Sequence, residues 1–532
     1  MTTVRESTFD FFRRQGMTTM FGNPGSTELA MLADFPDDFR YVLGLQEAVV
    51  VGMADGYAQA SGLPTVVNLH TAPGMGNAVG AIFNAQANKS PLVITAGQQA
   101  RHLMTLQANL TNRDATEVPR PFVKWSYEPP RAEDVPHAIA RAAYLANQAP
   151  KGPVFVSIPM DDWEVEVDES AAGHAISRSV SNAAAADPAA VKALAAALEA
   201  AASPVLVAGP DVDASGAWDA AVALAERQRL PVWATPAPGG GRIGFPEGHP
   251  HFRGTLPPAV GPVGQVLEGN DLVLVIGSSV FPYYPDIPGP LLPEGTRLVA
   301  ITNDPDEAAR APMGDAIVAD VKLTLEALLA ELGQSDRPVP EPVGDPPEVE
   351  LTDPLNPSTV ARVLGEVLPE NGIVVLESPS TTPALRNQLR ISNPGSYFFG
   401  SGGGLGFGLS ASLGVAMAQP ARPVVCVLGE GSAQYAISAF WTAVAYNVPV
   451  TFLVLRNNEY AILKWFAQLE QLTGAPGLDL PALDTAAIAT SYGVASQVVS
   501  SRDELSAALT EAIADASPRL VEVPVVPGMA LF

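Results

Sequence analysis

Short runs of Val, Ile and Leu punctuate the chain, each closed by Gly, Pro or Asn and followed by a longer stretch with Ala and Leu at helical spacing. Runs that are apolar on both faces suit strands covered on both sides, so the pattern predicts parallel sheets layered between helices. In the first third the expected strands are 41–43, 65–69, 92–95 and 154–158. In the middle they are 205–207, 272–277 and 298–301, and in the last third 373–376, 424–428, 452–455 and 520–523. Two stretches break the alternation: 168–190, rich in Ala and Ser, and 333–357, rich in Pro, Asp and Glu. Both read as linkers. The chain then divides at 1–180, 181–340 and 341–532 into three doubly wound parallel α/β domains in series.

Length agrees, because 532 residues exceed what one core organises and amount to about three to four domains at roughly 150 residues each. The composition, 47% hydrophobic and 16% charged, is that of a globular chain. A formal charge of -26 repels phosphate backbones and anionic lipid, which argues against nucleic acid and membrane surfaces as partners. The single cysteine, Cys426, lies in the apolar run 424–428 and has no intramolecular disulfide partner, which points to the cytoplasm. The first residues, Met1 to Glu6, lack the basic segment and apolar core of a signal peptide, and no long uncharged apolar stretch reads as membrane-spanning.

Ligands of doubly wound sheets bind beyond the carboxyl ends of the strands. Four places there carry polar or glycine-rich residues: Phe21 to Glu28, Gln46-Glu47, His70 to Asn77, and Gly400 to Glu459. In the last, Gly429-Glu430-Gly431-Ser432 leaves a strand and enters a helix, so its amides can face a diphosphate. Asn457 follows the next strand, which returns its amide oxygen beside the Glu430 carboxylate. A hard cation such as Mg2+ suits that pair, with a backbone carbonyl near Glu459, diphosphate oxygens and water completing the shell.

Gly429-Glu430-Gly431 followed by Asn457-Asn458 resembles the diphosphate and metal motif of thiamine-diphosphate enzymes. Nearly the whole chain is similar to the benzoylformate decarboxylase family: Phe21-Gly22-Asn23-Pro24-Gly25-Ser26, Leu45-Gln46-Glu47-Ala48, Asn68-Leu69-His70, Gly403-Gly404-Leu405-Gly406-Phe407 and Lys464-Trp465-Phe466 are among its motifs. The resemblance implies that Glu47 hydrogen-bonds the cofactor pyrimidine, that Leu405 wedges between its two rings, and that the Gly403 carbonyl accepts from its amino group. It places Ser26 on the substrate carboxylate and His70 in proton transfer. It also implies Asn77, Gly429, Gly431, Ser432 and Tyr460 around the cofactor, and Asn109, Leu110, Phe281, Ile462, Leu463 and Phe466 around the substrate. Ser378 and Ser380 follow the strand 373–376 and suit either diphosphate oxygens or a helix cap. Expected with them are thiamine diphosphate, Mg2+ or Ca2+, no flavin, a 2-oxo acid or aldehyde as substrate, and a homotetramer whose sites lie between subunits.

Two departures from the family pattern bear on mechanism. Glu430 stands where an aspartate is usual, one methylene longer than Mg2+ geometry readily accepts. Tyr284 stands where the family carries a second catalytic histidine; a phenol holds its proton through neutral pH where an imidazole titrates. Ile462 narrows the pocket, and burial of Asn109 without a partner would cost about 1 to 3 kcal/mol. The leading reading is a 2-oxo acid decarboxylase forming an aldehyde. An aldehyde carboligase or acyloin lyase, and a catalytically weakened cofactor-binding homologue, stand beside it.

Overall fold

The structure, a computed structural model, describes residues 2–168, 173–174, 177–236, 241–344 and 346–529. The expected linker 168–190 falls partly outside these residues, as does one position of 333–357. The chain forms two compact units. One comprises Met1–Ser181, Leu351–Pro383 and Gly402–Phe532, the other Asn182–Glu350 and Ala384–Ser401. The middle domain therefore takes in 384–401, which the pattern alone assigned to the last block.

In the first unit, strands Thr19–Asn23 (β1), Arg40–Leu43 (β2), Thr65–Leu69 (β3), Leu92–Gln98 (β4), Ser126–Tyr127 (β5) and Val154–Pro159 (β6) form a sheet in the order β2-β1-β3-β4-β6-β5. Every pairing is parallel. Strands β3, β4 and β6 are buried at all positions, which is why they read as unbroken apolar runs. Helix Glu47–Ser61 (α1) joins β2 to β3 and helix Thr71–Ala87 (α2) joins β3 to β4.

The second unit carries Pro204–Ala208 (β7), Val232–Ala234 (β8), Phe252–Thr255 (β9), Leu272–Ile276 (β10), Arg297–Thr302 (β11) and Asp315–Val318 (β12), ordered β9-β8-β7-β10-β11-β12. In that order the crevice beyond β7 and β10 is where a nucleotide commonly sits. Just past those strand ends backbone packs on backbone. A Cβ at Gly209 would stand 2.4 Å from the Gly277 carbonyl, and one at Gly244 would stand 2.2 Å from the Gly209 carbonyl. Only glycine fits at either position.

The last domain places Ile373–Glu377 (β13), Val424–Gly429 (β14), Val450–Arg456 (β15), Ala495–Val498 (β16) and Arg519–Pro524 (β17) side by side as β13-β14-β15-β17-β16, again all parallel. Helix Phe407–Ala418 (α3) runs between β13 and β14, and helix Ala461–Leu469 (α4) follows β15. α3 is buried almost throughout, the mark of a core helix rather than an amphipathic one.

Helices α1 and α3 cross at backbone contact. A Cβ at Gly52 would stand 2.1 Å from the Ser410 hydroxyl, one at Gly56 2.2 Å from the Ala411 carbonyl, and one at Gly414 1.9 Å from the Met53 carbonyl. All the strands expected from the sequence form. Among the described residues no helix is long and apolar enough to cross a membrane.

α1 is tied to the turn after α2 through Asp55, which is fully buried. Its carboxylate accepts from Gln59 Nε2 (2.9 Å), Asn88 Nδ2 (2.8 Å) and the Ser90 hydroxyl. Burial pushes this carboxyl up from 3.8 to about 6, against the pull of those three donors. Between these values the folded state holds a proton that the unfolded state has lost. This contribution to stability is thus complete below the unfolded value and lost as pH rises through about 6. Asp55→Asn cannot titrate, so the Tm of wild type minus that of the variant is expected to fall as pH is raised across this window. A difference independent of pH would contradict the assignment.

Candidate functional site

Gln46 caps α1, its side-chain oxygen accepting from the Ala48 and Val49 amides at 2.6 and 3.2 Å. That cap sets Glu47 in the first helical turn, where the helix amides favour negative charge. Glu47 is buried, and each of its oxygens takes one side-chain amide: Asn23 Nδ2 at 3.2 Å on Oε1 and Asn77 Nδ2 at 3.0 Å on Oε2. A carboxylate has about four acceptor positions, so two neutral donors orient Glu47 and leave capacity for a ring nitrogen. Gly74 on α2 keeps the space open, because a Cβ there would stand 3.0 Å from Oε1.

His70 is the N-cap residue of α2. Its Nδ1 lies 2.9 Å from Glu28 Oε2 and 3.4 Å from the Thr27 hydroxyl. Glu28 is 1% exposed and fully engaged: Oε2 also accepts from the Gly25 amide at 2.8 Å, and Oε1 accepts from the Thr27 hydroxyl and the Gly97 amide at 2.8 Å and the Thr71 amide at 3.2 Å. With an acceptor facing Nδ1, the ring proton sits there and Nε2 is the nitrogen left for chemistry. Gly25 and Gly97 make room, since a Cβ would meet the imidazole at 2.1 Å or Glu28 Oε1 at 2.3 Å. Glu28 was not assigned a role from the sequence. The available signal was a carboxylate two positions after Ser26 in the same strand-end turn. Ser26 itself is exposed at that turn.

The 101–110 loop abuts this site where the Thr71 hydroxyl donates to the Leu110 carbonyl at 3.1 Å. Asn109 is exposed, so the burial cost expected for its side chain does not arise in the single chain. The Asn109 carbonyl accepts from Gln99 Nε2 at 2.8 Å.

At the ends of β13, β14 and β15 the diphosphate and metal candidates converge. A Cβ at Gly429 would stand 3.6 Å from both the Ser378 and Ser432 hydroxyls, while one at Gly431 would strike the Tyr460 ring at 2.8 Å. The Thr381 and Thr382 hydroxyls donate to the Ser378 carbonyl, back-bonding within the turn. Ser380, half-buried, sits in the same turn. Glu430 is 2% exposed, and its Oε1 accepts the Asn457 amide at 3.1 Å and the Asn458 amide at 2.6 Å. Burial pushes its carboxyl up, and these amides pull it down. Asn457 Oδ1 accepts the Glu459 amide at 3.1 Å. The Glu459 side chain is taken by Lys464 and by the Gly528 amide at 2.7 Å, so a metal role for this residue rests on its backbone carbonyl. Among the described residues no three His, Cys, Asp or Glu side chains gather as a metal cluster. A cation held here would draw on one carboxylate with neutral oxygens, a set that fits Mg2+ or Ca2+.

Gly403 and Gly406 adopt φ of 73° and 103°, a left-handed backbone that sets the half-buried Leu405 between them. On α4, Ile462 and Phe466 are half-buried and Leu463 is 48% exposed, an apolar face available to a substrate. In the other unit Phe281 is 6% exposed and packs within a cluster that includes Val205, Val273 and Val280. Tyr284 is 57% exposed.

Residues 2–118, 191–328 and 380–523 match the N-terminal TPP binding, central and C-terminal TPP binding domains of the thiamine pyrophosphate enzymes. Fold and site thus define a thiamine-diphosphate-dependent enzyme. The chain is 49% identical over 525 residues to benzoylformate decarboxylase of Pseudomonas aeruginosa, covering 98% of this chain and 99% of that one. It is 27% identical over 533 residues to the large subunit of acetolactate synthase isozyme 3 of Escherichia coli, covering 94% and 90%. The thiamine diphosphate-dependent 4-hydroxybenzoylformate decarboxylase of Rhodococcus jostii RHA1 superposes with a TM-score of 0.97 at 44% identity, covering 99% of this chain and all of that one. The chain belongs to the benzoylformate decarboxylase family of thiamine-diphosphate-dependent 2-oxo acid decarboxylases.

Glu28→Gln keeps the shape but sets an amide NH2 among groups that already donate. Loss of a charged hydrogen-bond partner is expected to lower kcat/KM by about tenfold or more, with thiamine diphosphate affinity unchanged. Steady-state kinetics beside a cofactor titration test this, and an unchanged kcat/KM would refute a role for Glu28 through His70.

Proposed function

We propose that this chain converts aromatic 2-oxo acids of the benzoylformate type to aldehydes and carbon dioxide in the cytoplasm, where the one thiol, Cys426, stays reduced and buried. The observation that carries this reading is the Glu28–His70 pair beside the Ser26 turn, on the same sheet edge as Glu47. Together they supply a carboxylate-binding hydroxyl, an oriented imidazole and a buried acid at adjacent strand ends.

Thiamine diphosphate, when bound, supplies the electron sink that a 2-oxo acid lacks. The chain's residues do the rest. Glu47, oriented by Asn23 and Asn77, gives and takes a proton at the pyrimidine. Ser26 hydrogen-bonds the substrate carboxylate, and His70 presents Nε2 to the substrate oxygen and moves a proton there. The bond between C1 and C2 breaks, C1 leaves as carbon dioxide, and one proton goes to the former carbonyl carbon. Ser378, Ser432 and the 429–431 turn would hold the diphosphate, while Glu430, Asn457 and the Glu459 carbonyl would hold the cation. Leu110, Ile462, Leu463 and Phe466 favour a flat apolar substrate group.

A homotetramer with sites shared between copies accords with two features. Asn77, which holds Glu47, and Asn84, which holds Gly404, lie two turns apart on α2, about 10 Å along the helix axis. Leu45, two residues before Glu47, and Leu463 are each nearly half exposed in the single chain. Tyr284 favours a second outcome, in which slow protonation allows capture by a second aldehyde.

Carbon dioxide release from a panel of aromatic and branched 2-oxo acids, with thiamine diphosphate and Mg2+ present and then each omitted, tests the main reading. Cofactor-dependent release, fastest with aromatic substrates, is expected. No release despite cofactor uptake would transfer the assignment to a carboligase or lyase, and no uptake in excess Mg2+ would exclude Glu430 as a working metal ligand. Tyr284→His is expected to lower the ratio of carboligation product to free aldehyde, and equal ratios would refute the role given to Tyr284.

A further inference from the structure

Glu377 ends β13 and is 5% exposed, yet it belongs to neither the metal site nor the substrate site. Its Oε1 accepts the Gly406 amide at 2.8 Å and the Phe407 amide at 3.1 Å, and its Oε2 accepts the Gly408 amide at 3.1 Å. These are amides at the start of α3 that no intrahelical carbonyl can satisfy. The N-cap residue, Gly406, has no side chain to cap them, so the cap comes from a neighbouring strand end. The fit is close: a Cβ at Gly408 would stand 2.5 Å from Glu377 Cβ.

The same turn is gripped from its other side by Asn84, which is 4% exposed. Its Nδ2 donates to the Gly404 carbonyl at 2.8 Å and its Oδ1 accepts the Gly404 amide at 3.0 Å. A Cβ at Gly402 or Gly404 would meet the Asn84 amide at 2.6 or 2.8 Å. Leu405 is the one residue between the peptide held by Asn84 and the amides held by Glu377. Burial pushes the Glu377 carboxyl up to about 8 against the pull of its three amides, so holding this acid here is costly. A neutral cap would satisfy the helix more cheaply, which argues for a geometric demand on the turn itself.

We infer that Glu377 is a positioning residue: with Asn84 it sets the Gly403–Gly406 turn before the cofactor arrives, so that Leu405 meets thiamine diphosphate already in place. The inference rests on the cofactor role proposed for Leu405. A turn ordered beforehand loses less conformational freedom on binding, so its removal appears as lost affinity.

Thiamine diphosphate is titrated with excess Mg2+ against wild type, Glu377→Gln, Glu377→Asp, Leu405→Ala and the Glu377→Gln/Leu405→Ala double variant, followed by intrinsic fluorescence. Glu377→Gln is expected to raise Kd by about tenfold or more, and Glu377→Asp, which keeps the carboxyl group, by less. In the Leu405→Ala background the same change should cost no more than about twofold, because the residue through which Glu377 acts is gone. An unchanged Kd, or the same loss in both backgrounds, would overturn the inference and leave Glu377 a helix cap only. Hydrogen exchange of cofactor-free wild type needs no variant to fold. The Gly406, Phe407 and Gly408 amides should already be protected, and protection gained only on adding thiamine diphosphate would overturn the inference. Wild type that binds no thiamine diphosphate would contradict the functional reading instead.

Discussion

The crossing of α1 and α3 is the contact on which the site depends. Gly52 and Gly56 on one helix and Gly414 on the other bring the two backbones together, and a methyl at Gly414 would lie 1.9 Å from the Met53 carbonyl. α1 begins at Glu47, and α3 begins just after Leu405. A helix pair closed on glycine has no side-chain layer in which to slip, so the acid and the wedge turn are both referred to one rigid joint. Both helices are apolar on nearly every face, and their burial supplies the stability that the polar strand ends do not.

The chemistry gathers on four buried carboxylates at or beside strand ends: Glu28, Glu47, Glu377 and Glu430. Each is held by directed donors. Glu47 takes two asparagine amides, Glu430 two loop amides, Glu377 three helix amides, and Glu28 backbone amides with a hydroxyl and the His70 ring. Hydrogen bonds of this kind fix direction as well as charge. That is what the proton transfer proposed for Glu47 and His70 and the cation binding proposed for Glu430 require. Glu430 Oε1 also holds the two amides that shape the Asn457 loop.

Where strands are apolar on both faces, the sequence is readable. The runs at 65–69, 154–158, 272–276 and 424–428 form buried strands near their expected limits. Thr19–Asn23 escaped that reading because Gly22 and polar ends dilute its pattern, although it lies centrally between β2 and β3. Ala495–Val498 escaped because it is a polar and largely exposed edge strand. Among site residues, motif positions such as Glu47, His70, Leu405 and Glu430 were legible. Glu28 and Glu377 were not, because their partners are distant along the chain: His70 reaches Glu28 only because β1 and β3 pair, and Glu377 meets amides that follow an intervening helix. Asn109, exposed in the single chain, and Phe281, within the core cluster of the middle domain, have surroundings that residue type alone does not give.

The central claim is that Glu47 and the His70 pair act on a 2-oxo acid bound with thiamine diphosphate. Its most direct test follows the fate of carbon-13 in carboxyl-labelled benzoylformate by NMR, with wild type and Glu47→Gln compared at saturating cofactor and Mg2+. The expected result is labelled carbon dioxide and benzaldehyde formed in equal amounts by wild type, with neither formed at a comparable rate by the variant. Label retained on the substrate, or released equally by both proteins, would contradict it.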